Sequence, residues 1–349
     1  MLPESVLERA RDEMLSFDGI GMSVMEMSHR SPQFEAVLHG AEQGIRDLLS
    51  VPSNYRVLFL QGGASMQFAM IPMNFLPDAG FADYVVGGYW GKKALAEANR
   101  EGGTKVIWSG EDSGFTRTPE PDDLIFSPDA AYVHYTSNET IDGIEFKYDL
   151  DAGGIPVVCD ACSNILSKPI DIEKYALIYA GAQKNIGPSG VTVVIIRDDL
   201  LERVPLGMHP LFDYRALAKN DSMVNTPNTW GIYLIGLVCD WLKEQGGVRG
   251  IQVRNEAKAK LLYDAIDSSD GFYRGKAERS ARSTMNVTFN LPGAELEKRF
   301  AEQAALQGLD GLAGHRTSGG IRASIYNAFP VEGVHELIGF MEEFASQNS

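Results

Sequence analysis

Five stretches of this sequence carry residues that can do chemistry, and each lies just after an apolar run. Lys184 stands in YAGAQKNIGPSG, Asp160 closes IPVVCD, Ser65 lies in QGGASMQF, Trp90 in GGYWGKK and Thr140 in TSNETIDG. A loop lysine is ordinarily a solvated surface residue. Lys184 differs because LIYAGAQ leads into it and a tight turn leads out into GVTVVII. Held partly out of water, its amine would lose its proton more readily and become nucleophilic. Asp160, at the end of a buried strand, is costly unless it is paired. It could cap a helix beginning near Ser163, or it could face a cationic group such as a protonated ring nitrogen. The glycines before Ser65 expose backbone N–H groups at a helix start, which is a seat for an anion. Neither a G-K-[ST] nor a G-x-G-x-x-G occurs, so a P-loop and a dinucleotide site have no support. Trp90 offers an aromatic plane for a flat ring. An amine to trap an aldehyde, an acid to neutralise a pyridinium and a seat for a phosphate are what pyridoxal 5′-phosphate requires.

The elements that must position these residues are readable from periodicity. FEAVLHGAEQGIRDLL sets Phe34, Val37, Leu38, Ala41, Ile45 and Leu48 on one helical face. YRVLFLQGG reads as a strand ending in a glycine turn, and SMQFAMIPMNFL as a helix. DYVVGG, TKVIW, AAYVHYTSN, IPVVCD, ALIYAG and VTVVIIR are near-continuous apolar runs, as expected of strands buried on both faces. Strands alternating with helices predict an α/β layer fold with a mostly parallel sheet. In such sheets ligands bind beyond the carboxyl ends of the strands. That rule selects Gly62–Ser65, Gly87–Trp90, Thr136–Thr140, Asp160 and Gln183–Lys184. Two long helices follow, TWGIYLIGLVCDWLKEQGG and VRGIQVRNEAKAKLLYDAIDSS. STMNVTFNL, AELEKRFAEQAALQG, GIRASIYN and VEGVHELIGFMEEFAS then predict a small α+β unit. The expected division is a large domain over 1–247 and a small C-terminal domain over 248–349.

Length and charge narrow the function classes. The chain has 349 residues, 44% hydrophobic and 22% charged, with a formal net charge of −16. Nucleic acid is an unsuitable partner for so acidic a chain, and any local basic cluster becomes informative. No apolar run reaches the length of a membrane span. MLPESVLERARDEML is acidic and amphipathic, unlike a signal or transit peptide, so a cytoplasmic location is expected. Cys159 and Cys162 form a C-x-x-C, but its redox or zinc reading needs a helix N-terminus or a second pair of cysteines. Two small residues beside a strand end is the simpler account.

The sequence resembles the phosphoserine aminotransferases, class V members of the fold type I pyridoxal-phosphate enzymes, over essentially its whole length. The motifs that carry the resemblance are GMSVMEMSHRS, LFLQGGAS, TSNETIDG, YAGAQKNIGPSG, NTPNTW and GLAGHRTSGGIRASIYNA. The resemblance implies that Lys184 carries the cofactor and later moves a proton, and that Asp160 pairs with the ring nitrogen. Trp90 would stack on the ring and Thr140 would contact it near its phenolic oxygen. Ala64, Ser65 and Gln183 would seat the phosphate, joined by Asn225 and Thr226 from a second subunit of a homodimer. No metal is implied. Between Gly311 and Tyr326 there is no acidic residue, yet His315, Arg316 and Arg322 fall there, and His29 and Arg30 form a second basic pair. Arginine offers a bidentate fork for carboxylate or phosphate. By resemblance Arg322 would hold the substrate α-carboxylate. His29, Arg30, His315 and Arg316 would hold a distal phosphate or γ-carboxylate.

Two departures from the family pattern are expected to matter. Family members begin with an Asn-Ala-Gly-Pro turn ahead of the Leu-Pro with which this sequence opens, and some carry an arginine where this chain has Ala64. The distal phosphate is therefore expected to meet one cation fewer. The activity implied is transamination between L-glutamate and 3-phosphohydroxypyruvate, giving 2-oxoglutarate and O-phospho-L-serine by ping-pong kinetics. Cysteine desulfuration needs a mobile cysteine that none of the three provides. An aminotransferase for unphosphorylated amino acids, or a non-catalytic fold relative, would not need the two basic clusters or the intact set of strand-end residues.

Overall fold

The structure, a computed structural model, describes residues 1–316 and 318–348. The strands are β1 (Tyr55–Leu60), β2 (Phe81–Val86), β3 (Gly103–Ser109), β4 (Val133–Thr136), β5 (Asn138–Glu139), β6 (Ile144–Glu145), β7 (Val157–Asp160), β8 (Leu177–Gly181), β9 (Thr192–Arg197), β10 (Arg274–Gly275), β11 (Asn286–Asn290) and β12 (Ile321–Ser324). The helices are α1 (Glu4–Asp12), α2 (Pro32–Leu49), α3 (Gly63–Phe75), α4 (Tyr89–Glu101), α5 (Asp198–Leu201), α6 (Tyr214–Lys219), α7 (Thr229–Glu244), α8 (Gly247–Asp267), α9 (Ala294–Leu306) and α10 (Val331–Asn348).

Seven strands form the main sheet in the order β1-β9-β8-β7-β4-β2-β3. The pairs β8–β7, β7–β4, β4–β2 and β2–β3 are parallel, while β9 runs antiparallel to both β8 and β1. Because β9 alone is reversed, the carboxyl ends of β1, β2, β4, β7 and β8 share one edge of the sheet. Alternate side chains feed two cores. Val57, Phe59, Ile178 and Ala180 pack on one side with residues of α2 and α7. Leu58, Leu60, Leu177 and Tyr179 pack on the other with residues of α3, α4 and α6. This three-layer arrangement explains why the strand runs read as continuous rather than alternating. The run TKVIW is the exception, since β3 lies at the sheet edge and Val106 is 45% exposed. Apolar continuity alone does not separate an edge strand from a central one.

A second sheet, β10-β11-β12, packs with α9 and α10 around Phe289, Phe300, Ile321 and Phe344. Helix α8 serves both units. Ile251 belongs to the large core, whereas Ala259, Leu262 and Ile266 belong to the small one.

Candidate active site

Lys184 follows β8 in a turn held by the Ala182 carbonyl, which accepts from the N–H groups of Ile186 and Gly187. Its Nζ donates to the Thr140 hydroxyl at 2.7 Å and stands 5.1 Å from the centre of the Trp90 ring. Among the described residues it makes no salt bridge. Asp160, 3% exposed, ends β7, the strand beside β8. Its Oδ1 accepts from the Cys162 N–H at 2.9 Å, a local turn that satisfies one oxygen. Burial pushes the Asp160 carboxyl up, while the Lys184 charge, Cys162 and Tyr179 pull it down. Its backbone is held as well, because the Asp160 carbonyl accepts from the N–H and hydroxyl of Ser137. The structure thus brings Lys184, Thr140, Trp90 and Asp160 together at one sheet edge.

Two helices begin at this edge, and their first turns are used differently. Helix α3 starts after Gly62, whose φ of +84° is left-handed and where a Cβ would meet Met66 at 2.5 Å. No side chain caps α3 and its first turn holds no acid, so the N–H groups around Ala64 and Ser65 are left for an anion. Helix α4 is already filled. The two Glu139 oxygens accept from the N–H groups of Trp90 and Gly91 at 2.9 and 2.8 Å, and Asp142 accepts from Tyr89 at 3.1 Å. Burial, and then Asp142, push Glu139 up to about 8 against those two N–H groups. Gln183 and Ser65 are exposed, and Ala64 is half-buried.

The basic residues are distributed unevenly. Arg322 lies in β12, half-buried, and its Nε is a buried atom with no hydrogen-bond partner among the described residues. The His315 ring lies 5.1 Å from that of Tyr89, which brings the small unit's basic loop to the start of α4. Arg316 and Arg30 are exposed and His29 is half-buried. Among the described residues no hydrogen bond or ion pair joins His29 or Arg30 to Lys184. Asn225 and Thr226 are exposed and meet their own chain's Gln61, through an Nδ2 to Oε1 bond of 3.2 Å and a bond to the Thr226 carbonyl of 3.0 Å. Cys159 and Cys162 are buried thiols. Burial raises both, Cys159 to about 12, which favours the protonated thiol in each, and Cys162 accepts the Gly181 N–H.

Comparison with known proteins decides the family. The model for "Aminotransferase class-V" matches residues 1–337. The chain belongs to the class V aminotransferases. It is 53% identical over 348 residues to the phosphoserine aminotransferase of Laribacter hongkongensis, covering 100% of this chain and 97% of that protein. The phosphoserine aminotransferase structure from Bacillus circulans subsp. alkalophilus superposes with a TM-score of 0.98 at 49% identity, over 100% of this chain and 97% of that one. A phosphoserine aminotransferase from Trichomonas vaginalis, solved with PLP bound, gives 0.92 at 38% identity over 98% and 97% of the two chains.

As a class V aminotransferase, this chain has a site that fits the cofactor by its own features. The start of α3 is uncapped, Lys184 meets a hydroxyl rather than a carboxylate, Asp160 is a buried acid one strand away, and Trp90 supplies a ring face. Sequence reasoning selected the Thr136–Thr140 stretch but gave Glu139 no role, and it missed Asp142. The signal that selected Asp160, an acid at a buried strand end, was also present at Glu139. It also missed His134, whose Nε2 meets the Tyr179 hydroxyl at 2.8 Å and whose burial lowers it to about 3. A neutral histidine inside a parallel strand carries no distinguishing pattern.

Proposed function

We propose that this aminotransferase exchanges the amino group of L-glutamate with the keto group of 3-phosphohydroxypyruvate, yielding 2-oxoglutarate and O-phospho-L-serine for serine biosynthesis. The observation that carries this reading is the Lys184 amine, held by Thr140 against Trp90 beside the buried Asp160, in a chain of this family. Pyridoxal phosphate, when bound, supplies an aldehyde and a ring that delocalises the electrons left at the substrate Cα. The chain's own residues do the rest. The first turn of α3, with Ala64, Ser65 and Gln183, holds the phosphate. Trp90 would offer its ring face to the cofactor, Thr140 would donate or accept a hydrogen bond beside it, and Asp160 would pair with a protonated ring nitrogen. Lys184 would serve as the general acid–base that moves the Cα proton. Arg322 takes the α-carboxylate in a planar fork, and its Nε, which has no hydrogen-bond partner among the described residues, supports that use.

His29, Arg30, His315 and Arg316 receive the distal phosphate of one substrate and the γ-carboxylate of the other. One anion site serving both substrates leads to ping-pong kinetics. The large unit, 1–247, supplies the cofactor residues, and 248–349 supplies Arg322 and the His315 loop. The working form is a homodimer in which Asn225 and Thr226 reach the partner's phosphate seat, and the expected location is the cytoplasm. No helix among the described residues is long and apolar enough to cross a membrane.

The test is the visible spectrum of the purified protein with pyridoxal phosphate. A yellow band that bleaches with L-glutamate and returns with 3-phosphohydroxypyruvate supports both half-reactions. A band indifferent to both substrates sinks the assignment. Lys184→Ala should abolish turnover while the melting temperature holds, and normal turnover in that variant would overturn the role given to Lys184.

A further inference from the structure

Three asparagines form a buried chain that the reaction does not use directly. Asn185, Asn255 and Asn327 are 5%, 1% and 2% exposed. Asn185 directly follows Lys184. Its Oδ1 accepts from the Asn327 N–H at 3.0 Å, and its Nδ2 donates to the Ile165 carbonyl at 2.6 Å. The Asn327 side chain donates to the Leu166 carbonyl at 2.9 Å and accepts from Asn255 at 2.8 Å. Asn255 also reaches the Ser167 carbonyl at 3.3 Å. On the same face of α8, Lys258 donates to the carbonyls of Tyr326 and Phe329 at 2.8 and 2.9 Å.

These contacts join four chain segments, and three of them each carry or adjoin one group of the proposed site, while α8 supplies Asn255 and Lys258. Ile165–Ser167 belongs to the turn after Asp160. Asn185 adjoins Lys184. Asn327 lies just beyond β12, the strand that holds Arg322. We propose that the Asn185–Asn327–Asn255 chain is a positioning device that fixes the carboxylate-binding Arg322 relative to Lys184. The inference rests on the reading of Arg322 given above.

The physical argument is one of leverage. The two units meet here through side-chain amides, and a buried amide has directional partners that an apolar contact lacks. A shift of Asn327 by a fraction of an ångström breaks its bond to Asn185 and leaves buried polar groups unpaired. Arg322 lies five residues before Asn327, with β12 pinned to β11 between them, so its reach toward the substrate depends on that anchor. Catalytic geometry tolerates little displacement.

The test uses the full chain loaded with pyridoxal phosphate and glutarate, an unreactive dicarboxylate, as the probe. Glutarate affinity is measured by calorimetry, beside the KM for L-glutamate and the melting temperature. Asn185→Ala should weaken glutarate binding and raise KM by about tenfold, the loss expected for one buried hydrogen bond, with a smaller change in kcat. Arg322→Lys is the control for the underlying reading, and it should weaken glutarate by itself. In the double variant the two effects should not add, because both act through Arg322. If Arg322→Lys weakens glutarate but Asn185→Ala lowers only the melting temperature, the cluster is structural and the proposal falls. The proposal also falls if the two losses add fully. If Arg322→Lys leaves glutarate binding unchanged, the reading of Arg322 fails, and the proposal fails with it. Asn327→Ala, which keeps its own N–H bond to Asn185, is the second variant and should give a milder form of the same effect.

Discussion

Glu139 holds the N–H groups of Trp90 and Gly91, and so orients the first turn of α4 on which the indole stands. Replacing it with alanine leaves the Trp90 and Gly91 N–H groups without that acceptor, at a cost of about 1–3 kcal/mol. Glu139→Ala should therefore lower the melting temperature and release pyridoxal phosphate more readily in equilibrium dialysis. Glu139→Gln retains one acceptor oxygen and should do less of both. Equal cofactor retention in wild type and Glu139→Ala would show that Trp90 does not depend on this cap. In the proposed reading, the planar fork of Arg322 is what would hold the substrate carboxylate. Arg322→Lys keeps the charge but loses bidentate geometry. A charge-assisted bond of about 1.5–3 kcal/mol predicts a roughly ten- to hundredfold rise in KM for L-glutamate, read from initial rates.

The short hairpin of β5 and β6 links the two units. Glu145, 1% exposed, receives Lys168 and Lys147 at 2.8 and 2.9 Å and the Thr284 N–H at 3.0 Å. Burial alone would raise its carboxyl, but the two lysines outweigh burial and bring it to about 2. A carboxyl depressed in the folded state contributes stability that is complete above its unfolded value near 4.5 and is lost as pH falls toward 2. The shift corresponds to about 2–3 kcal/mol once the half-exposed Lys147 is discounted. Urea midpoints measured between pH 5 and pH 3 should fall in wild type, and Glu145→Gln should lack that part of the decline. A variant that tracks wild type through this window would remove Glu145 from the account.

Apolar side chains remain on the outside of the single chain, among them Leu15 at 84% and Leu206 at 91% exposure. They would be covered in the homodimer proposed above, in which Asn225 and Thr226 would serve the partner's site. Mixing Lys184→Ala with Asn225→Ala after reversible dissociation tests sharing directly. A heterodimer then holds one site with both residues intact and one with neither. Random assortment should restore about a quarter of wild-type sites, each variant alone being weak. No restoration on mixing would mean that Asn225 acts within its own chain.

The sequence by itself determined the layer class, the strand-end set and the identity of its chemistry. Those follow from local rules: apolar runs mark buried strands, glycines mark turns, and an acid or lysine beyond such a run must have a use. Lys184 and Asp160 stood out for that reason and Trp90 for its ring, while Thr140 drew a role only through the family resemblance; the fold places all four at one sheet edge. Tertiary structure alone decided that β9 runs backwards, that β3 is an edge, and that α8 belongs to both cores. It also decided which helix start is left for an anion, because Glu139 reaches α4 from a strand far away in sequence. The asparagine chain was invisible for the same reason. A buried amide is defined by its partners, and those of Asn185 lie on segments that only the fold brings beside it.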